Sequence, residues 1–184
     1  MRLGVKSIAL NVTLFKLGWL SVVFSAAAGL EEIGVAAVAL VILVHIARAS
    51  RRADELLLLL AAGLIGLTWE TFLLNVGALS YTQPGAGNTV APYWIVAMWV
   101  LFATTLNVSM SWLRKNLLIA AVAGAIGGPL SFLAGEKMGA VELHDAGVWL
   151  IALGWAALLP LVAAIAGRYN GYGDVSMVKM SDQP

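Results

Sequence analysis

The chain has no cysteine among its 184 residues. Disulfides, thiolate metal sites and cysteine nucleophiles are therefore excluded. Charge is nearly as scarce: 11 Lys and Arg with 10 Asp and Glu make up 11% of the sequence and balance to +1. Such a balance gives no field that would draw nucleic acid or an acidic partner. Also missing are a nucleotide-binding loop, a serine–histidine–acid signature and an HExxH sequence. The glycine groups lie inside apolar runs, where they do not cradle phosphate.

Apolar residues are what the chain has in quantity, at 61% of the sequence with a mean hydropathy of +0.90. An ordinary soluble domain is about 45–50% apolar and about 25% charged. A soluble fold of this size buries only about 70% of its chain surface. The composition excludes a soluble globular protein, a disordered one and a nucleic-acid-binding one. It points to an all-α polytopic membrane protein.

Six apolar segments, at about 8–30, 33–49, 56–79, 93–112, 117–134 and 148–167, predict a single six-helix transmembrane domain over 1–168. Residues 169–184 form a polar, frayed tail. The start of the chain resembles a secretory signal, with Arg2 and Lys6 before an apolar run and Ser25-Ala26-Ala27-Ala28-Gly29 after it. Lys16, Trp19 and Phe24 interrupt that pattern, so a retained first span is expected. Basic residues fix the orientation. With the N-terminus in the cytoplasm, Arg2, Lys6, Arg48, Arg51, Arg52, Arg114, Lys115, Arg168 and Lys179 all lie inside. Glu31, Glu32, Glu136, Glu142 and Asp145 collect on the other side. Both termini are then cytoplasmic. The connection Ser80–Pro92 lies outside, with turn signals at Pro84-Gly85 and Gly87-Asn88.

Two charges fall within spans, where each costs at least about 2.5–3.5 kcal/mol. Glu70, in Thr68-Trp69-Glu70-Thr71, shares a helix face with Gly63, Gly66, Leu74 and Gly77. That face points into the bundle, ~21 Å from the inner surface, with Asn75 one to two turns further out. Glu70 is either a carboxyl that glues helices or the polar end of a functional pocket. Lys16 lies ~12 Å deep; it snorkels inward or pairs with an amide such as Asn107. Thr104, Asn107 and Ser111 form a polar stripe on the fourth span. On the fifth, Gly124-x-x-x-Gly128 permits close helix contact, Ser131 follows, and Pro129 predicts a kink. The outer group of Glu31, Glu32, Asn75, Tyr81, Glu136 and Glu142-Leu143-His144-Asp145 reads as a solvated loop or as an acid–base or cation site without metal-motif spacing. His45 reads as an interfacial histidine.

Several segments together resemble a known family. They are Phe15-Lys16-Leu17-Gly18-Trp19, the run Trp99–Asn107, Ser111-Trp112-Leu113, and Gly127-Gly128-Pro129-Leu130-Ser131-Phe132 followed by Gly135 and Gly139-Ala140. This pattern resembles the bacterial membrane family catalogued as domain of unknown function 2878. Two positions depart from it: Lys16, where glutamine is expected, and Val108, where histidine is expected. The resemblance implies a small bacterial inner-membrane protein with no assigned activity and no catalytic residues to transfer. It also implies a link to membrane-lipid modification, with a lipid-modifying enzyme as partner.

Three functions stay open. One is a lipid- or small-molecule-binding protein, accessory to fatty-acyl modification, with Glu70, Asn75, Lys16, Asn107, Thr104 and Ser131 as candidate ligand-binding residues. Another is a transporter or channel subunit with Glu70 as a proton or cation site. The last is a scaffold in which all polar residues are glue. Membrane lipids are the expected partners, and no cofactor or metal is expected. No nucleophile or metal set argues for an enzyme.

Overall fold

The computed structural model describes residues 5–82, 89–144 and 146–173. Among these, six helices run α1 (Val5–Ala27), α2 (Glu31–Arg48), α3 (Arg52–Asn75), α4 (Tyr93–Leu106), α5 (Leu117–Lys137) and α6 (Gly147–Arg168). Two short strands, β1 (Leu79–Tyr81) and β2 (Val141–Leu143), sit in the α3–α4 and α5–α6 connections. The turn signals at 84–88, Asp145 and most of the tail lie outside the described residues.

Local chemistry sets the helix ends. Glu31 and Glu32 open α2, and Asp54 and Glu55 lie in the first turn of α3, where the helix dipole favours acids. The Asn116 Oδ1 accepts from the Leu118 and Ile119 amides at 3.0 and 3.2 Å, capping α5. Short connections make the helices alternate up and down. One end gathers the start of α1, the end of α2 and the start of α3. The Arg48 guanidinium there donates to the Ser7 hydroxyl at 3.2 Å. The opposite end carries the strands.

Helices α1, α3, α5 and α6 are long and apolar enough to cross a membrane. Their outward faces carry exposed side chains such as Leu64, Leu118 and Leu153. So many large exposed apolar side chains are unusual on a water-soluble monomer. Helix α2 has 18 residues with charges at both ends. Helix α4 is shorter than the sequence predicts: it stops at Leu106 rather than running to Trp112, and a 3-10 segment (Ser111–Lys115) follows. The hydroxyls of Thr104 and Thr105 donate to carbonyls three residues back, and Asn107 turns away to bonds outside the helix. Both features compete with helix continuation.

Gly77 and Gly139 take left-handed backbone angles, φ +68° and +82°, in the turns leading into β1 and β2. A side chain at either would be strained. Gly77 therefore ends α3 rather than extending its small-residue face. The strands pair antiparallel, with Leu79 opposite Leu143 and Tyr81 opposite Val141. Alternation along β1 buries Leu79 and Tyr81 and turns Ser80 outward.

Close helix contact follows the glycines. A Cβ on Gly66 would collide with the Trp99 ring, and one on Gly124 or Gly128 would collide with Trp155. The two core clusters sit at opposite ends of the bundle. Val22, Val38, Leu73 and Leu79 represent the strand end, and Leu58, Leu106, Val162 and Ala166 the other. Pro129 lies inside α5 without ending it.

Candidate functional site

Glu70 is fully buried on α3. The Trp99 indole of α4 donates to its Oε1 at 2.8 Å, and the Tyr81 hydroxyl of β1 donates to its Oε2 at 2.6 Å. An indole N–H can only donate, whereas a hydroxyl can also accept. The same arrangement therefore serves a carboxylate, or a carboxylic acid that gives its proton to Tyr81. Trp99 stacks on Trp155 of α6 with ring centres 4.6 Å apart, and Tyr81 meets Trp94 edge-on at 5.3 Å. The indole nitrogens of Trp94 and Trp155 are buried without a hydrogen-bond partner among the described residues.

This polar centre faces a cavity of about 80 Å³ whose other walls include Phe15, Trp19, Met98, Phe132 and Val141. Glycine at Gly66 makes the centre possible, because it lets Trp99 lie against α3 one turn before the acid. The β ladder supplies the other half by turning Tyr81 inward. Glu70 and Ser131 line this cavity; Asn75, Lys16, Asn107 and Thr104 do not.

Each of the others has a different setting. Asn75 is exposed and donates to the Thr71 and Thr89 carbonyls at 2.7 and 2.8 Å, tying the returning connection to the end of α3. Thr104 is buried; its hydroxyl donates to the Leu101 carbonyl, and its own carbonyl accepts from the Asn11 amide. Ser131 is exposed on α5 and borders a second cavity as well. Lys16 is exposed and lines that second cavity. It does not pair with Asn107, whose amide donates to Glu55 Oε1 at 2.6 Å and to the Tyr169 carbonyl at 2.9 Å.

Those last bonds belong to a second buried centre at the opposite end. Glu55, also fully buried, lies 2.9 Å from His45 Nε2 and accepts the Gly171 amide at 3.0 Å. His45 is buried, with Tyr172 against its ring. The Tyr172 hydroxyl lies 2.7 Å from the His45 carbonyl and 3.1 Å from Nδ1. The hydroxyl is within hydrogen-bond reach of both. Burial and the Glu55 carboxylate push the Tyr172 hydroxyl up to about 12, against a smaller opposing pull from Arg48. The segment after α6 is therefore held, not frayed, through Gly173. The Arg51 guanidinium adds a bond to the Asn170 carbonyl at 2.6 Å.

Two members of the outer group have settings of their own. Tyr81 turns inward, and Glu136 accepts the Leu143 amide at 2.8 Å, which fixes β2. Among the described residues no cluster of His, Asp and Glu could hold a metal ion. Sequence reasoning missed Glu55 because it lies beside the Arg51-Arg52 turn, where a charge looks solvated. Only its fourth place in the α3 pattern, ahead of buried Leu58, Leu59 and Ala62, marked it as inward-facing.

The fold and the site define a helical membrane-type bundle with one buried carboxyl beside an apolar cavity and another locking its far end. The chain belongs to the family described as protein of unknown function (DUF2878), whose model matches residues 8–161. Searches of curated proteins and of solved structures found no match to it.

Proposed function

We propose that this chain is a six-span protein of the bacterial inner membrane that binds a lipid or another apolar small molecule. In this reading both termini are cytoplasmic, and the strand end faces outward. The basic residues Lys6, Arg48, Arg51, Arg52, Arg114, Lys115 and Arg168 at the opposite end support that orientation. The observation that carries the function is Glu70: a carboxyl held by two side-chain donors at the edge of an otherwise apolar, aromatic cavity. Ligand pockets are built this way, with apolar walls and a few fixed polar groups. An accessory role beside an enzyme that modifies fatty-acyl chains would follow from lipid binding at this cavity.

A transporter file from the outer acids past Glu70 to Asn107 finds less support. Asn75 is bound to backbone, and Asn107 is committed to Glu55 and Tyr169. The test compares wild type with Glu70→Gln, each purified in native lipid. The expected result is altered lipid co-purification in the variant with assembly intact. Identical bound lipids and stability would remove Glu70 from the function.

A further inference from the structure

The larger cavity, about 570 Å³, runs along α1 and α5 and adjoins the Glu70 chamber. Phe15, Trp19, Phe102, Ser131 and Trp155 border both spaces. Lys16 is the one ionisable residue in the lining of the larger cavity. It has no hydrogen bond or ion pair with any described residue. It lies near the middle of α1, where a bare charge is costly.

We propose that this groove seats one acyl chain of an anionic phospholipid, with the Lys16 ammonium on the phosphate. The inference rests on the lipid-binding reading above and names the ligand class and its place. Charge complementarity selects the head group: the groove offers a single unpaired cation and no acid. Direction follows from helix geometry. Side chains tilt toward the helix N-terminus, so the Lys16 stem reaches toward the groove end bordered by Met110 and Trp112. Trp112 is half exposed there, as an indole at a head-group boundary would be. Shape selects the chain. A Cβ on Gly127 would meet nothing within 4 Å, so the floor of the groove is open where the acyl chain lies. The chain then points toward the wall shared with the Glu70 chamber.

Native mass spectrometry of the stripped, full-length protein tests the proposal with phosphatidylglycerol and phosphatidylcholine. Wild type is expected to hold the anionic lipid in preference. Lys16→Gln loses that preference by roughly fivefold, the effect of one cation near a head group, and still binds both lipids. Gly127→Leu fills the floor and loses one bound lipid of either kind. Leu20→Trp, on the α1 wall, repeats the block should the α5 variant fail to fold. An unchanged preference in Lys16→Gln, an unchanged lipid count in both blocked variants, or a second copy of the chain displaced instead of a lipid would each overturn the proposal. Glu70→Gln separates the two readings. Lipid loss in Glu70→Gln alone refutes the groove and keeps the chamber. Loss in the groove variants alone does the reverse.

Discussion

Glu55 and Glu70 are both fully buried carboxyls, yet their surroundings differ. Glu55 faces a histidine, an amide side chain and a backbone amide, all within hydrogen-bond distance. Glu70 has only two neutral donors and stands beside open space. The first is a structural lock; the second is the functional candidate. Glu55→Ala strands His45 and Asn107, and a loss of about 3–5 kcal/mol is expected from detergent-phase unfolding. Tyr81→Phe removes one donor from Glu70 and should cost about 1–3 kcal/mol in the same assay, with lipid co-purification changed as in Glu70→Gln. Tyr172 gives a signed pH effect. Its proton is held more tightly in the folded chain, to about 12 against an ordinary 10.0. The stability advantage of wild type over Tyr172→Phe should be constant below pH 10 and shrink as the pH rises toward 12. A constant difference across that window would contradict the assignment. Glu70 was legible in the sequence because an acid inside a long apolar run is too costly to face lipid and must turn into the bundle. Its partner Tyr81 was not, because a three-residue ladder joins segments about 60 residues apart and leaves no local periodicity.

The glycines separate helix contact from open surface at the level of elements. Gly124 and Gly128 press against Trp155, whereas Gly127 meets nothing. Gly128→Leu should push α5 off α6 and abolish folded protein in size-exclusion profiles. Gly127→Ala should be neutral or gain up to about 1 kcal/mol, since alanine favours the helix. Equal damage from both would show that α5 does not pack as described. The Gly124–Gly128 spacing announced this contact. The early end of α4 was hidden, because Thr104, Thr105 and Asn107 are compatible with a helix until their distant partners are known.

For the whole molecule, the outward leucines fit a bundle in a bilayer, and the orientation proposed above puts its basic end in the cytoplasm. The absence of native cysteine makes this simple to check. A cysteine at Arg52 should be labelled only from the cytoplasmic side, and one at Glu142 only from the opposite side. The central claim is that a membrane lipid sits within the bundle beside Glu70. Photo-crosslinking with a phospholipid carrying a diazirine along its acyl chain, mapped by peptide mass spectrometry, tests it most directly. Adducts on Phe15, Trp19 and Ser131, competed by unlabelled lipid and changed in Glu70→Gln, are expected. Adducts confined to outward side chains such as Leu118, Trp149 and Leu153 would contradict it.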